Sequence, residues 1–276
     1  MRFTKMEGIG NDYIYINGFE ENIADPAELS RKMSQYHFGC GADGIILILP
    51  SEQADFRMRM FNNDGSESEM CGNGMRCVTR YCYDRGLTNK TQFTVESGGK
   101  IKPVVIHLKN QMVDSVTVDM GEPELRPAYI PTTAQNHLRH LLTVQGHTYE
   151  ATMVNMGNPH AVIFIEDKPD NAPVTTHGPL LECHEDFPQK ANIEFAQVLD
   201  STHVNMRVWE RGSGETLACG TGACAVAVAA VLLGLCEREV EVILRGGTLH
   251  IHWNEADNHV YLTGPATFVY DGVWLQ

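Results

Sequence analysis

The fold is decided by two stretches of equal length, CGNGMRCVTRYCYDRGL at residues 71–87 and CGTGACAVAVAAVLLGL at residues 219–235. Both begin with a Cys-Gly-X-Gly motif, continue for one helix length and end in Gly-Leu. A shift of 148 residues aligns them, and the match extends without a gap back to Met58 on Met206. Self-similarity at one fixed spacing indicates an internal duplication. We therefore predict that the chain consists of two related halves.

The two halves also share a coarse pattern of secondary structure. Alternating β-rich segments, such as FRMRMF at 56–61 and VNMRVW at 204–209, precede each motif and predict strands. One helix per half begins directly after Cys-Gly-X-Gly and ends before Gly86 or Gly234, because glycine commonly follows a helix C-terminus. The second helix is apolar all round, so we expect its sheet to bury it.

The first helix differs from the second because it carries charged residues on one side. We predict that this side is partly exposed to solvent. The four residues concerned are Arg76, Arg80, Asp84 and Arg85.

Two breaks in the sequence suggest where the halves end. Gly121-Glu122-Pro123 and Gly264-Pro265 interrupt the strand pattern, because glycine and proline favour turns. We predict an N-terminal domain over residues 1–120 and a C-terminal domain over 121–265, with residues 266–276 returning to the first.

Length and composition limit the class of protein. With 276 residues, of which 43% are hydrophobic and 20% charged, the chain can bury a sizeable core. Its net charge of −14 argues against partners such as nucleic acid or an anionic membrane, which require a basic face. The longest apolar run, residues 223–235, would span about 20 Å as a helix, too short for a bilayer core of roughly 30 Å.

The cysteines indicate a reducing compartment. Eight cysteines in a chain of this length, with no CxxC pair and no secretory signal at the N-terminus, are expected to be free thiols. We therefore expect a cytoplasmic protein. Metal binding is not expected, because histidine pairs at the spacing of His250 and His252 are common on protein surfaces and no carboxylate or cysteine forms a cluster with them.

The Cys-Gly-X-Gly motif has a specific physical meaning at the start of a helix. Its glycines let the backbone turn tightly and approach a ligand closely. The amide groups at the helix N-terminus favour a carboxylate and lower the pKa of a cysteine placed there from about 8.5. Two such cysteines, Cys71 and Cys219, one from each half, suggest an acid and a base on opposite faces of one substrate carbon. Such chemistry needs no cofactor.

Other interpretations of these residues remain open at this point. GTGACA at 220–225, with Glu241 further on, fits a dinucleotide-binding pattern, but the preceding strand ends near Glu210 and the intervening loop is too long. A non-catalytic amino-acid binder or a thiol redox protein would also use these motifs. Exchange of solvent deuterium into the α-position of a substrate would exclude the binder, because a binding protein gives no exchange. A disulfide that forms and breaks during turnover would identify the redox protein.

At these motifs the sequence resembles the diaminopimelate epimerases, over nearly the whole chain. The family motifs occur in order as FTKMEGIGNDYI, NNDGSESEMCGNGMRC, VNMGNPHAV, ANIEF and WERGSGETLACGTGACA. The resemblance implies an α+β fold of two pseudo-symmetric domains, each a curved mixed or antiparallel sheet around a central helix, with the active site in the cleft between them. It implies cofactor-independent interconversion of LL- and meso-diaminopimelate, in lysine and peptidoglycan precursor biosynthesis, and a possible homodimer.

The resemblance also implies roles for individual residues. Cys71 and Cys219 correspond to the catalytic thiols, and His160 and Glu210 would tune their ionisation. The backbone at Gly72, Asn73, Gly220 and Thr221 would hold the reacting carboxylate, and Asn11 and Glu210 would lie near the reacting amino group. The distal amino-acid end would be recognised by Asn62, Asn158, Asn192 and Arg211.

The chain departs from the family at one position. Some members carry a glutamine that contacts the substrate where this chain has Gly44. We therefore expect no side-chain contact from this position. A racemase for another amino acid is the alternative within the same fold.

Overall fold

The computed structural model describes residues 1–68 and 70–275 of the chain. Its internal contacts divide the chain into two compact units. Unit 1 is formed by Met1–Asp119 together with the C-terminal residues from Thr263, and unit 2 by Met120–Leu262. Both units combine strands with helices, so the predicted α+β, two-domain fold is confirmed.

The elements follow one another in an order that repeats. The first set is β1 (Arg2–Gly8), β2 (Asn11–Asn17), α1 (Pro26–Met33), β3 (Gly44–Leu49), β4 (Phe56–Asn62), β5 (Glu67–Ser68), α2 (Gly72–Asp84), β6 (Gln92–Ser97), β7 (Lys100–Lys109) and β8 (Met112–Gly121). The second set is β9 (His140–Val144), β10 (His147–Asn155), β11 (Pro159–Phe164), α3 (Val174–Glu182), β12 (Asn192–Asp200), β13 (His203–Glu210), β14 (Gly214–Glu215), α4 (Gly220–Leu232), β15 (Glu239–Leu244) and β16 (Gly247–Trp253). The chain ends with β17 (Val260–Gly264) and β18 (Thr267–Val273).

The sheets of the two units have matching connectivity. In unit 1, β2 pairs with β3 in parallel, β3 with β4 antiparallel, and β4 with β6 in parallel. In unit 2 the same sequence of pairings joins β11, β12, β13 and β15. Because the order and direction of the strands agree, the sequence repeat corresponds to a repeat in structure.

One helix of each unit packs against its sheet, as the sequence predicted. In α4 the residues from Ala223 to Ala230 are all buried, since their side chains are apolar on every side. The α2 helix is followed by Gly86 with φ +72° and α4 by Gly234 with φ +70°, the left-handed backbone that glycine adopts without strain. No helix in the described part of the chain is long and apolar enough to cross a membrane.

The prediction that the charged side of α2 faces solvent was wrong for Arg76. This side chain is completely buried, at 0% exposure. Its Nε donates to the carbonyl of Pro265 at 3.0 Å and its Nη1 to Oδ1 of Asn73 at 3.0 Å. The C-terminal segment of unit 1 returns over this side of α2. The backbone at Pro265 therefore covers Arg76 and also accepts a hydrogen bond from its guanidinium. Arg85, nine residues further along at the C-cap of α2, is exposed as predicted.

Candidate active site

Cys71 lies in unit 1 as the N-cap residue of α2. Its backbone is extended, with φ −140° and ψ 112°, and its Sγ accepts a hydrogen bond from the amide of Gly74 at 3.3 Å. The thiol donates to Oδ1 of Asn11 at 3.4 Å. The side chain therefore does what serine or aspartate usually does at this position, and the sulfur lies at the positive end of the helix dipole.

Cys219 occupies the equivalent position in unit 2, as the N-cap residue of α4. Its backbone has φ −125° and ψ 108°, and its Sγ accepts from the amide of Gly222 at 3.3 Å. The hydroxyl of Thr221 lies 3.5 Å from the sulfur. Both predicted thiols therefore cap the first turn of a helix in the same way, with the sulfur at the positive end of the helix dipole.

The pKa of Cys219 depends first on its burial and then on two nearby carboxylates. Burial raises its pKa well above the usual value, and the charges of Glu210 and Glu194 raise it further. Glu210, at the end of β13, is partly buried, and burial raises its pKa, whereas hydrogen bonds with the Thr216 hydroxyl and with Cys219 lower it. Burial and the two carboxylates therefore both disfavour the thiolate form of Cys219.

The predicted binding residues of unit 1 lie at strand ends and in the first turn of α2. Asn11 begins β2, and its side-chain amide donates to Oδ2 of Asp43 at 2.7 Å. Asn62 ends β4, where its Oδ1 accepts from the hydroxyl of Tyr13 at 3.3 Å. Within the first turn of α2, Gly72 and Asn73 are both buried.

Both ring nitrogens of His160 lie close to side-chain oxygen atoms. Its Nδ1 lies 2.6 Å from Oε1 of Glu194, and its Nε2 lies 2.9 Å from Oδ1 of Asn158. Both ring nitrogens are thus engaged by oxygen atoms, so His160 has no ring nitrogen left for a direct bond to Cys219. Any influence on that thiol passes through Asn158 or through the carboxylates.

The other predicted residues of unit 2 form a connected group. The side chain of Asn192 donates to the carbonyl of Pro159 at 2.9 Å and accepts from the amide of Arg211 at 2.9 Å. The guanidinium of Arg211 is exposed and donates to the carbonyl of Gln189 at 3.3 Å. Gly220 and Thr221 open α4, and Thr221 accepts from the Asn158 side chain at 3.3 Å.

Comparison with known proteins assigns the chain to a family. The diaminopimelate epimerase family profile matches residues 3–126 and 152–269, which include both Cys-Gly-X-Gly motifs. The chain belongs to the diaminopimelate epimerase family. It is therefore an epimerase, an enzyme of the isomerase class. The resemblance found in the sequence is confirmed.

Relatives of this family match the chain along its whole length. A diaminopimelate epimerase from Desulfovibrio desulfuricans is 57% identical over 280 residues, covering 99% of this chain and 97% of that protein. One from Acetivibrio thermocellus is 53% identical over 274 residues, covering 99% of this chain and 98% of that protein.

Solved structures of more distant proteins share the fold. A hydroxyproline epimerase from Agrobacterium vitis has a TM-score of 0.72 at 16% identity, covering 99% of this chain and 90% of that chain. A PhzF-family phenazine biosynthesis protein from Bacillus anthracis has a TM-score of 0.71 at 18% identity, covering 100% and 99%. At these identities the likeness concerns the fold alone.

The departure from the family at position 44 has a steric counterpart. A Cβ atom added to Gly44 would lie 2.0 Å from the carbonyl oxygen of Phe61 and 2.8 Å from the ring of Tyr13. Backbone fills this place, so no side chain fits at position 44 unless the strands move. In this epimerase a glutamine could not be introduced there by a simple substitution.

Two acidic residues of the site were not among those predicted. Asp43 holds Asn11 and the amide of Asp12, and burial raises the pKa of its carboxyl group. Glu194 is completely buried beside His160. Its signal was present in the sequence, because a single acidic residue interrupts the apolar strand segment NIEFA at 192–196.

Proposed function

We propose that this member of the diaminopimelate epimerase family interconverts LL- and meso-diaminopimelate without a cofactor, with one cysteine taking the α-proton and the other delivering a different proton to the α-carbon. One sulfur removes the α-proton as a thiolate, and the other delivers a proton to the opposite face as a thiol. In the reverse reaction the two sulfurs exchange roles. The carbon skeleton and the amino group are unchanged, so only one stereocentre is inverted.

The observation that carries this proposal is the matched capping geometry of the two cysteines. Each Sγ accepts the amide of the third residue along at 3.3 Å, in Cys71 from Gly74 and in Cys219 from Gly222. Cysteines that only fill space in the core would not need the same hydrogen bond in both units. Two sulfurs held identically at two positive helix ends are suited to one symmetric task, which is to act on the two faces of a single carbon.

The acidic surroundings of Cys219 provide a route for its proton. The thiol donates to Glu210, so this carboxylate can receive the proton when Cys219 must act as the base. Asn11 contacts Cys71 at 3.4 Å and is suited to hold the substrate amino group near that sulfur. The helix amides would bind the α-carboxylate and stabilise the charge that builds on it as the α-proton leaves.

The distal end of the substrate would be recognised by Asn62, Asn158, Asn192 and Arg211. Arg211 suits a carboxylate, since a guanidinium can donate two parallel hydrogen bonds. Its position is fixed by the backbone contact to Asn192 at 2.9 Å, while its side chain stays exposed. We further propose a role in lysine and peptidoglycan precursor synthesis, in the cytoplasm, and assembly as a homodimer.

The test is proton NMR of purified protein with LL-diaminopimelate in heavy water. We expect loss of the α-proton signal with appearance of the meso isomer, and activity that survives both a chelator and a carbonyl reagent. Absence of exchange would refute the catalytic proposal and leave a binding protein. Faster exchange on an amino acid with one carboxylate would reassign the substrate while leaving the two-thiol mechanism in place.

A further inference from the structure

Glu194 is a carboxylate in the core of unit 2 with no part in the proton transfers proposed above. It lies in the middle of the β12 strand, paired with Val162 on one side and Val208 on the other, and its exposure is 0%. A buried carboxylate is costly unless hydrogen bonds compensate for its lost hydration. Among the described residues, its Oε2 atom has no hydrogen-bond partner. Its presence therefore needs a reason.

A chain of contacts leads from this carboxylate to the Cys219 sulfur. Oε1 of Glu194 lies 2.6 Å from Nδ1 of His160, and Nε2 of His160 lies 2.9 Å from Oδ1 of Asn158. The Asn158 amide donates to the Thr221 hydroxyl at 3.3 Å, and this hydroxyl lies 3.5 Å from Sγ of Cys219. The same Glu194 oxygen would be 2.9 Å from a Cβ atom on Gly222. The carboxylate thus sits against the first turn of α4.

The other half of the molecule shows that the fold does not need a carboxylate at this place. The spacing of 148 residues that relates Cys71 to Cys219 relates Ile46 to Glu194. Ile46 also faces the glycine of its own helix, since its Cδ1 would be 2.7 Å from a Cβ atom on Gly74. An apolar side chain therefore fills the same position in the same architecture, at no cost in buried charge.

We infer that Glu194 is a positioning residue for the proton transfer at Cys219. By holding the ring of His160 it orients Asn158 and Thr221, and these in turn set where the thiol lies and which way its proton points. The inference rests on the proposed function of Cys219 in epimerisation. It assigns to the His160 ring a structural task within the chain of contacts.

The charge of Glu194 adds a second effect that can be measured without turnover. The titratable groups facing Cys219 are Glu210 from β13 and Glu194 from β12, while His160 from β11 acts on Glu210. Removing the negative charge at position 194 lowers the pKa of Cys219, since both carboxylates disfavour the thiolate. The pH at which Cys219 becomes reactive then falls.

The experiment compares Glu194→Gln with Glu194→Ile. Glutamine keeps an oxygen that accepts from His160 but removes the charge, whereas isoleucine copies the residue of the other half and breaks the chain of contacts. The readouts are kcat and KM for epimerisation and the pH dependence of Cys219 alkylation, followed by site-resolved mass spectrometry. Ile46→Val is the matched control at the equivalent place in unit 1.

We expect Glu194→Ile to lower kcat by about tenfold to a hundredfold with little change in KM, because a hydrogen bond to a charged group is lost. Both variants should shift the alkylation profile of Cys219 to lower pH, and Ile46→Val should leave both readouts unchanged. Wild-type kcat in Glu194→Ile would overturn the inference. A lower kcat with an unmoved alkylation profile would indicate a packing role only, and would overturn it as well.

Two further outcomes keep the test decisive. Should Glu194→Ile fail to fold, the alkylation profile of Glu194→Gln decides alone, and an unmoved profile counts against the inference. Should the wild-type protein lack epimerase activity while Cys219 alkylation responds to Glu194 as expected, the proposed function fails and the positioning of the thiol stands.

Discussion

The amino ends of α2 and α4 share a backbone and differ in charge. Both place a cysteine N-cap 3.3 Å from the amide of a glycine three residues on. Two carboxylates raise the pKa of Cys219, the partly buried Glu210 and the fully buried Glu194, whereas the corresponding positions of unit 1 carry Asn62 and Ile46. In unit 1 the helix α2 itself contains a buried charged residue, Arg76.

The comparison shows that the two copies keep the same backbone geometry around the cysteine but differ in the surrounding side chains. The turn geometry that holds the sulfur comes from glycines and amides and is the same in both halves. The side chains that surround the sulfur differ between the halves. The two thiols therefore have different electrostatic surroundings, although their backbone hydrogen bonds are the same. Under the proposed two-thiol mechanism both sulfurs are needed in each direction, and the mechanism does not require the two thiols to have equal pKa values.

The largest expected effect separates the two thiols from all others. Cys71→Ala and Cys219→Ala should each lower the rate of LL-to-meso conversion by about a thousandfold or more, because a positioned acid or base contributes about 10²–10⁴-fold. Chiral chromatography of the product measures this. Cys236→Ala is the control, since that cysteine lies beyond the opposite end of α4. Full turnover by either active-site variant would disprove the two-thiol mechanism.

The next effect concerns the buried charge in unit 1. Arg76→Met should destabilise the protein by about 3 kcal/mol, because buried acceptors at Pro265 and Asn73 lose their donor. The equivalent change in unit 2, Cys224→Ala, should cost about 1 kcal/mol, since it removes a single buried sulfur. Urea midpoints measured by circular dichroism give the comparison. Equal urea midpoints for the two variants would show that the hydrogen bonds of Arg76 add no stability beyond the packing of its side chain.

A methyl group at the helix glycines probes how rigid the two surroundings are. In Gly222→Ala the new Cβ would lie 2.9 Å from Glu194 and 3.2 Å from the Cys219 sulfur, and Glu194 is held by His160. We expect this variant to lose about 1–2 kcal/mol of transition-state stabilisation, measured as kcat/KM. In Gly74→Ala the nearest atom is the tip of Ile46, which can rotate away, so the loss should be smaller. A larger loss in Gly74→Ala would contradict the proposed rigidity of unit 2.

The smallest effect compares an ion pair that both units possess. Glu215 contacts Arg207 at 2.7 Å and Arg245 at 3.1 Å with 13% of its side chain exposed, whereas Glu67 contacts Arg59 at 2.7 Å with 48% exposed. Glu215→Gln should cost about 1–2 kcal/mol and Glu67→Gln less than about 1 kcal/mol, because solvent screens the exposed pair. Thermal unfolding at neutral pH measures both.

The pH dependence of this pair follows from the pKa of each carboxyl group. The arginines lower the pKa of Glu215 and of Glu67 below the usual value. Each therefore stabilises the folded protein above its unfolded pKa of about 4.3, and the contribution is lost as the pH falls through the lower folded value. The difference between wild type and Glu215→Gln should shrink in acid. A difference that stays constant to about pH 2 would show that it does not come from the charge.

The sequence predicted those parts of the molecule that local residues encode. The helices α2 and α4 were predicted because the Cys-Gly-X-Gly motif and the closing Gly-Leu lie one helix length apart in both halves. The burial of Arg76 was not, because it depends on Pro265, which is 189 residues further along the chain. Periodicity within a helix indicates which residues share a face, but not which distant segment covers that face.

The site shows the same limit. Cys71 and Cys219 stood out because the repeat marked them. Glu194 did not, because its partner His160 lies on the neighbouring parallel strand, 34 residues away. A single acidic residue in an apolar strand shows that a partner must exist, but the sequence alone does not say which residue it is.

The pairing of β1 with β18 has a consequence for synthesis on the ribosome. Unit 2 is a continuous segment, whereas unit 1 needs both the first and the last strand of the chain, with Arg2 opposite Val273. The nascent N-terminal region therefore emerges first yet lacks the strand β18 until residues 267–273 have been translated. We expect the later-made half to complete its folding earlier, and the earlier-made half to expose an open sheet edge to chaperones in the meantime.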